Sequence, residues 1–405
     1  MEDLSPAHGE SLGLKKKLNS CVENLMKNSD FTILLRKLVI SNGGHCIGVP
    51  FTNALVIADF LYDDSKCLKT ESFTEIFLTG CKIIMGYVLR DEQPKDPMLK
   101  KCLDQLLGFI SNIKASEKGL KCEGKVKESL WMTRIIVHYL AALSVLGEFQ
   151  FDKYTKDKPT QCSCSCRHKV SYTDTNIGNP HTWYGKLDVV LGCFNYDRKE
   201  DSPVAVTKVA DDTLQEISDE ACSSFDTAND DSSGGKTQAE VKVSPFDAGL
   251  SQVQAQTIVF SFYQRKRHPE VGLVPSIAVR RTHIHRALGD SGNYFYDCHK
   301  DIYLLSKEMP LFQGKDGSLN FVTLVATWLV VNYKQLMTGA TEEIEKDVKF
   351  GLMDAFSSDS LDYYKSGIEM TPFDTDNHDD FSTLIGVPTS QRDYATAKLM
   401  KSNWL

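Results

Sequence analysis

The sequence has no apolar run long enough to cross a lipid bilayer. Its longest run, 321–331, is interrupted by Thr323 and Thr327 and is well short of the roughly 20 residues that a spanning helix needs. The first residues, MEDLSPAHGE, are acidic and polar, whereas a secretory signal begins with basic residues followed by an apolar segment. We therefore expect an intracellular protein, in the nucleus or the cytoplasm, with no membrane partner.

Cysteine is also sparse, and no segment repeats along the chain. The 12 cysteines among 405 residues are too few for a disulfide-rich scaffold. With 41% hydrophobic and 25% charged residues, the composition excludes collagen-like, coiled-coil and wholly disordered chains. A chain of this length is expected to form two or three domains without help from disulfides.

The sequence has little net charge outside one acidic segment. Residues 197–236 contain eleven acidic and four basic side chains, which account for nearly all of the formal charge of −8. This segment ends in NDDSSGG, and we expect it to be a disordered insertion. The sign reverses in residues 265–286, where basic residues predict a local basic face.

Apolar residues that recur every three or four positions predict helices in the first part of the chain. The pattern appears in 31–40, 51–61, 73–89 and 98–113, with turn-forming residues between these segments. We therefore predict a helical N-terminal region at 1–120. A C-terminal region at 316–405 is predicted to consist of an apolar helix, 320–337, and an acidic tail.

The region between these two, 121–315, is predicted to form an α/β (α+β) core. A helix at 127–146 is followed by strands near 169–172, at 184–194 and at 238–243, then by a helix at 251–266 and a strand at 273–279. The order αβββαβ favours a mixed sheet with helices on its faces. A hairpin-like pair at 294–296 and 302–305 follows.

Three polar residues are notable on the predicted strands. Asp188 is a carboxylate inside the apolar run LDVVL, where an unpaired charge would cost several kcal/mol, so a cation should compensate it. Glu240 and Lys242 are two positions apart, and their side chains therefore leave the same face of a strand. If the two strands are neighbours, Asp188 and Glu240 become paired oxygen ligands for a hard divalent cation.

The motif LD at 187–188 and the motif EVK at 240–242 resemble the signature of the PD-(D/E)XK nuclease superfamily, whose core has the same αβββαβ order. The resemblance covers about 127–280, although leucine replaces the proline of the motif. It implies a restriction-endonuclease-like core that hydrolyses phosphodiester bonds with Mg²⁺ or Mn²⁺. By this resemblance Asp188 and Glu240 hold the metal and Lys242 positions the water, with Glu128 as a further acidic ligand and Gln256 beside the site.

A nuclease also needs contacts with the nucleic acid backbone, and the resemblance implies a nucleic acid partner, which we expect to be DNA. Basic side chains supply such contacts because they neutralise phosphates. The residues predicted for this role are Arg265, Lys266, Arg267, Arg280 and Arg281.

Other interpretations remain open from the sequence. The acid-x-Lys pattern occurs at four further places, so Glu240 and Lys242 also fit a salt-bridged surface strand beside a structural aspartate. A chain that keeps the nuclease fold without the chemistry would be a catalytically inactive binding module. A helical interaction adaptor would instead bind partners through 1–120 and the acidic tail.

A cysteine-rich stretch, CSCSCRH at 162–168, offers sulfur and imidazole ligands of the kind that zinc prefers. Side chains two positions apart on an extended chain are about 7 Å from each other, whereas each sulfur must lie about 2.3 Å from one zinc ion. Cys162, Cys164, Cys166 and His168 could hold one ion only if the segment curled tightly. We therefore expect an ordinary cysteine-rich loop here.

Overall fold

The protein is built around one large mixed β-sheet. The computed structural model describes residues 6–121, 127–155, 157–192, 204–209, 245–282, 288–313 and 317–370. The strands of these residues are β1 (Thr32–Ser41), β2 (Val49–Pro50), β3 (Val56–Phe60), β4 (Thr70–Ser72), β5 (Phe149–Asp152), β6 (Tyr172–Thr173), β7 (Asn176–Gly178), β8 (Trp183–Lys186), β9 (Val189–Leu191), β10 (Val204–Val209), β11 (Val274–Thr282), β12 (Leu288–Asp297), β13 (Ile302–Ser306), β14 (Met309–Pro310), β15 (Phe312–Gln313) and β16 (Ser318–Leu319).

Helices surround this sheet and supply much of the buried surface. One helical stretch changes its winding, because a π-helical segment at Ile136–Leu140, here called the π segment, separates α6 from α7. The helices are α1 (Pro6–Lys27), α2 (Phe73–Ile76), α3 (Leu78–Arg90), α4 (Pro97–Ser111), α5 (Ile113–Leu120), α6 (Glu128–Ile135), α7 (Ala141–Leu143), α8 (Pro245–Arg267), α9 (Phe321–Val331), α10 (Tyr333–Leu336), α11 (Glu342–Asp347), α12 (Leu352–Ala355) and α13 (Ser358–Ser366).

The main sheet has the order β3-β1-β13-β12-β11-β10-β9-β5-β6, with β4 paired to β1 and β14 paired to β12. Strand β9 pairs antiparallel with β5 and with β10, while β10 pairs parallel with β11. The predicted α/β class with a mixed sheet is therefore confirmed. A second sheet, β2-β8-β7, lies beside the first, and the chain passes from it into the main sheet between β8 and β9.

Helix α8 forms the centre of the core because it contacts the main sheet along most of its length. It packs against β10, β11 and β12, and side chains such as Val253, Ile258 and Phe260 are fully buried. Burial on this scale contributes about 25 cal/mol per Å² of apolar surface. The predicted helix 251–266 and strand 273–279 correspond to α8 and β11, and the predicted hairpin corresponds to β12 and β13.

The longest apolar run forms a buried helix. In α9 every residue from Thr323 to Val331 is buried, and the Thr323 hydroxyl donates a hydrogen bond to the Pro310 carbonyl at 2.8 Å. The Thr327 hydroxyl donates to the carbonyl of Thr323, so both polar interruptions are satisfied. Within the described ranges, no helix has both the length and the apolar character that crossing a bilayer requires.

Two of the four segments predicted as N-terminal helices contain strands instead. Residues 31–40 form β1, which pairs antiparallel with β3 and with β13, and residues 51–61 contain a 3₁₀ turn and β3. The run TILLRKLVIS fits a helical period and a buried strand equally well, and pairing with the distant β13 favours the strand. The N-terminal region is thus only partly helical, and β1 belongs to the main sheet.

The segment predicted as a disordered insertion contains a strand. Residues 204–209 form β10 between β9 and β11, because the β-branched run VAVTKV can pair on both sides. The rest of that segment, the predicted strand 238–243 and the tail after 370 lie outside the described residues.

Candidate functional site

An open cleft of about 590 Å³ lies between the end of β5, strands β7 and β8, the start of α6 and the first half of α8. We call it the acidic cleft, because three aspartates lie in its wall. The polar residues that line it include Ser129, Asp152, Tyr154, Asp157, Asn176, Lys186, Asp188 and Gln252.

Asp152 and Asp188 lie opposite each other on neighbouring antiparallel strands. They are one position beyond the Phe151–Val189 pair, and the Asp152 amide donates a hydrogen bond to the Asp188 carbonyl at 3.1 Å. Directly opposite residues send their side chains to the same face of the sheet, with Cβ atoms about 5 Å apart. Both side chains line the acidic cleft. The register therefore brings two carboxylates to one place.

The Asp152 carboxylate is buried and held in position. One of its oxygens accepts a hydrogen bond from the Tyr154 amide at 3.0 Å, and the other accepts from the Thr175 hydroxyl at 3.1 Å. Burial raises the pKa of Asp152 above its ordinary value, although these two hydrogen bonds and the nearby Lys186 ammonium oppose the rise. A cation in the cleft would favour the charged form.

Two further side chains give the acidic cleft donors and acceptors. Lys186 lies two residues before Asp188, and its ammonium is 3.5 Å from the centre of the Tyr154 ring. Asn176 is 1% exposed, and within the described part of the chain neither its amide nitrogen nor its amide oxygen has a hydrogen-bond partner. A buried amide without a partner costs free energy, so a ligand that bonded to it would recover this cost.

Gln256 and Glu128, predicted to lie near the metal, have different positions. Gln256 is fully buried behind the cleft, where it accepts from the Thr207 hydroxyl at 2.6 Å and donates to the Lys186 carbonyl at 2.9 Å. It therefore joins α8 to β10 and β8, whereas Gln252, one turn earlier, lines the cleft. Glu128 is the first residue of α6, next to Ser129 at the cleft, and its side chain lies outside the described atoms.

The other half of the predicted signature, Glu240 and Lys242, lies outside the described residues. In the sequence both precede Pro245, the first residue of α8, and this helix carries Gln252 to the cleft.

The predicted basic residues lie away from the acidic cleft or are described only in their backbone. Arg265, Lys266 and Arg267 end α8, about 20 Å beyond Gln252 at 1.5 Å per residue. The Arg265 guanidinium donates to the Val271 carbonyl, the Lys266 ammonium donates to the Ser366 carbonyl, and Arg267 lies over the Tyr263 ring. Strand β11 contains Arg280 and Arg281, whose side chains lie outside the described atoms.

A second group of ligand atoms lies beside the loop between β5 and β6. His138, Cys162, Cys164 and Cys166 each place one nitrogen or sulfur within 4.8 Å of the other three, and we call this group the thiol–imidazole cluster. His138 Nε2 is 3.6 Å, 2.9 Å and 3.5 Å from the three sulfurs in chain order. Cys164 Sγ is 3.4 Å from Cys162 Sγ and 2.9 Å from Cys166 Sγ.

The cysteine-rich segment is tightly curled, contrary to the extended geometry assumed from the sequence. The Cys162 amide donates to the His168 carbonyl at 2.7 Å, which closes a turn, and Arg167 has a left-handed φ of 51°. His168 points away from the sulfurs and its ring packs on Phe149, with ring centres 5.5 Å apart. The imidazole of the cluster comes from His138 in the π segment instead.

Burial shifts the pKa of two members of the cluster. It lowers the pKa of His138, and the neighbouring charges of Arg134 and His168 lower it further. It also raises the pKa of Cys162 to about 12. A neutral imidazole can bind a metal directly, whereas the buried thiol keeps its proton until a cation replaces it.

Asn176 and three other residues of these sites were missed in the sequence. Asp152 ends the alternating run FQFD, which could have been recognised as a strand ending in a carboxylate. Lys186 is two positions before Asp188, on the same continuous segment. His138 lies 24 positions before Cys162, and no local motif connects them.

No protein-family model, no curated protein and no solved structure matches this chain. The functional assignment therefore depends on the chemistry and geometry of its own residues.

Proposed function

We propose that this protein is a Mg²⁺-dependent phosphodiesterase that cleaves nucleic acid in the acidic cleft. The observation that carries the proposal is the pairing of Asp152 with Asp188 on adjacent strands, in an open cleft that also contains Lys186. Mg²⁺ is typically bound through one or two carboxylates and keeps the rest of its shell for waters and substrate phosphates. Two opposed carboxylates in an open cleft meet that requirement.

The order of the core elements supports a restriction-endonuclease-like fold for this proposal. The helical stretch α6–α7 precedes β5, β9 and β10, which lie side by side and antiparallel in the main sheet, and α8 leads to β11, which is parallel to β10. When the short strands β6, β7 and β8 between β5 and β9 are left aside, these elements are compatible with the αβββαβ order of the nuclease superfamily that the motifs resemble. In the proposal Asp188 keeps its predicted role as a metal ligand, and Asp152 joins it.

Each side chain has a defined task in the proposed reaction. Bound Mg²⁺ would polarise the phosphate and lower the pKa of a bound water. Lys186 would bind a phosphate oxygen, and the Asn176 amide would form hydrogen bonds with the substrate or with a water. Glu240 keeps its predicted role as a further carboxylate ligand and Lys242 its role as the water-positioning group, and Gln256 fixes the wall behind the cleft.

The basic residues at the end of α8 fit a nucleic acid partner. The distance of about 20 Å from the cleft to Arg265, Lys266 and Arg267 corresponds to about six base pairs of B-DNA at 3.4 Å each. In the proposal these residues contact backbone phosphates that flank the cleaved bond, with Arg280 and Arg281 as further contacts. Such contacts strengthen binding without reading sequence.

One observation favours a catalytically inactive binding module as the second candidate. Thr207 on β10 lies opposite Asp188, one position beyond the Val206–Val189 pair. This is the position from which β10 could have supplied a second carboxylate, but a threonine occupies it. Its hydroxyl is already bonded to Gln256. If Glu240 does not complete the site, the fold would bind nucleic acid without cleaving it.

Cleavage assays on the full chain distinguish these candidates. Single- and double-stranded DNA and RNA are incubated with Mg²⁺, with Mn²⁺ and without metal, using the unaltered protein, Asp188→Asn and the control Asp104→Asn. Asp104 is an exposed acid on α4. We expect metal-dependent cleavage, a loss of at least about 100-fold in Asp188→Asn, equivalent to about 3 kcal/mol, and no loss in Asp104→Asn.

Three results would contradict the enzymatic proposal. Cleavage that survives Asp188→Asn would remove the acidic cleft as its site. Salt-sensitive binding without cleavage would support the inactive module, because release of counterions makes phosphate contacts depend on salt. Absence of both would leave the helical interaction adaptor as the remaining hypothesis.

A further inference from the structure

We infer that the thiol–imidazole cluster binds one zinc ion that stabilises the fold. A tetrahedral zinc ion, about 2.3 Å from sulfur and about 2.0 Å from nitrogen, places sulfurs about 3.8 Å apart and sulfur and nitrogen about 3.5 Å apart. The five separations given above lie between 2.9 Å and 3.6 Å, and all four ligand atoms lie within 4.8 Å of one another. The four residues thus already approximate the corners of the tetrahedron.

Backbone hydrogen bonds to sulfur are a second feature of the cluster. The Cys166 amide donates to Cys164 Sγ at 3.2 Å, and the His168 amide donates to Cys166 Sγ at 3.5 Å. Hydrogen bonds of this kind favour the charged form of a sulfur ligand. They arise because the segment curls, so the fold that gathers the sulfurs also supplies donors for the thiolates.

Arg134 supplies a positive charge next to the cluster. Three thiolates, one neutral imidazole and one Zn²⁺ carry a net charge of about −1. The Arg134 guanidinium donates to the Ser163 hydroxyl at 2.8 Å and to the carbonyl of Lys121. It thereby compensates the charge and connects the cysteine-rich segment to the end of α5. Groups outside the ligand set commonly orient and tune a metal in this way.

The ligand set indicates a structural role for the metal. With three cysteines and one histidine, protein side chains occupy all four positions, whereas a catalytic zinc keeps one position open for water. The ion would join the π segment to the β5–β6 loop. The same loop carries Tyr154 and Asp157 to the acidic cleft, where Asp157 forms an ion pair with Lys127 at 3.1 Å.

The first test measures metal in the unaltered full-length protein, purified under reducing conditions. We expect about one zinc ion per chain, and we expect a chelator to remove it. Replacement by Co²⁺ should give intense visible bands of tetrahedral cobalt and a charge-transfer band whose strength matches three thiolates. This spectrum requires no variant, so it remains informative even if a substitution prevents folding.

Variants then identify the ligands. Cys164→Ser and His138→Asn should lower zinc affinity by at least about 100-fold, and His138→Cys should restore binding because it supplies a fourth sulfur. His168→Asn and Cys67→Ser are the matched controls and should keep their zinc. Cys67 is exposed and remote from the cluster in sequence.

Several outcomes would overturn the inference. These are a reduced protein that binds no zinc, a cobalt spectrum without thiolate bands, or loss of zinc in His168→Asn with retention in His138→Asn. Iron with acid-labile sulfide in place of zinc would overturn it equally. Zinc content is measured without any substrate, so this inference can fail while the proposed cleavage activity holds, and the reverse.

Discussion

The acidic cleft and the thiol–imidazole cluster share the β5–β6 loop but offer opposite chemistry. The cleft is lined by Asp152, Asp188 and Asn176, whose ligand atoms are oxygens, whereas the cluster surrounds one point with three sulfurs and a nitrogen. Hard cations such as Mg²⁺ prefer the first set and zinc prefers the second. A metal in the acidic cleft could exchange its waters for substrate oxygens. A metal in the thiol–imidazole cluster would have all four positions filled by protein side chains. In the two proposals above, this difference separates a catalytic site from a structural one.

The largest expected effect on activity separates the two sites. Asp152→Asn removes one of the opposed carboxylates and should reduce Mg²⁺-dependent cleavage by at least about 100-fold, or about 3 kcal/mol. Zinc content should not change, because Asp152 is not in the cluster. Rate and metal content are measured on the same preparation. If zinc is lost together with activity, the two sites are not independent.

Removal of zinc should act on stability. An ion that binds only the folded chain, at a free concentration 1,000 times its dissociation constant, stabilises the fold by about 4 kcal/mol. Urea unfolding with and without a zinc-specific chelator should show a loss of this size, and Cys164→Ser should show no chelator effect. Equal unfolding curves for the unaltered protein would contradict a structural metal.

Gly119→Ala should disturb the cluster indirectly. A Cβ at Gly119 would lie 2.5 Å from Cγ of the His138 ring, so the ring would have to move. We expect zinc affinity to fall about tenfold, equivalent to about 1.4 kcal/mol, in a competition titration. Gly108→Ala is the matched control, since a Cβ there meets nothing within 4 Å. A tenfold loss in both variants would argue against a specific contact.

Asn176→Leu tests whether the acidic cleft is built for a ligand. The substitution removes a buried amide without a hydrogen-bond partner among the described residues, so the free energy of unfolding should rise by about 1 kcal/mol. Cleavage should weaken at the same time. A variant that is less stable than the unaltered protein would show that the amide serves the fold instead.

The smallest effect concerns pH. Because the pKa of Asp152 is raised in the folded protein, the unfolded chain loses this proton first as pH rises. Stability should therefore fall through the window between the ordinary and the raised pKa, and Asp152→Asn should remove this slope. Saturating Mg²⁺ should remove it too, since the ion favours the carboxylate. Urea midpoints at several pH values test both statements, and a slope of opposite sign would refute them.

The sequence predicted the parts of the fold that local patterns determine. Helix α8, strand β11 and the β12–β13 hairpin were located correctly. Their apolar residues repeat over a long segment, or clear turn-forming residues bound them. Strand β1 was not, because its apolar residues fit both periods and its partner β13 is some 270 positions away. Local patterns carry no information about such a partner.

The same limit applies to the sites. Asp188 was identified from its apolar flanks, but its neighbour Asp152 depends on the register between β5 and β9, which separate strands do not reveal. Three cysteines of the cluster were visible as a motif. The motif offered only the nearby His168 as a fourth ligand and predicted an ordinary loop, because His138 comes close to the cysteines only in the folded chain.

The π segment explains how His138 comes to face the cysteines. Along α6, the π segment and α7, one row of buried residues recurs every four positions, at Trp131, Ile135, Tyr139 and Leu143, and the half-buried positions 134, 138 and 142 follow the same interval. An ordinary helix advances about 100° per residue, so four residues overshoot a full circle by about 40° at each step. The π segment has more residues per turn than an α-helix, and it therefore removes this excess rotation. Shortening this helix by one residue would rotate Arg134 and His138 out of alignment and dismantle the zinc site while every ligand remained in the sequence.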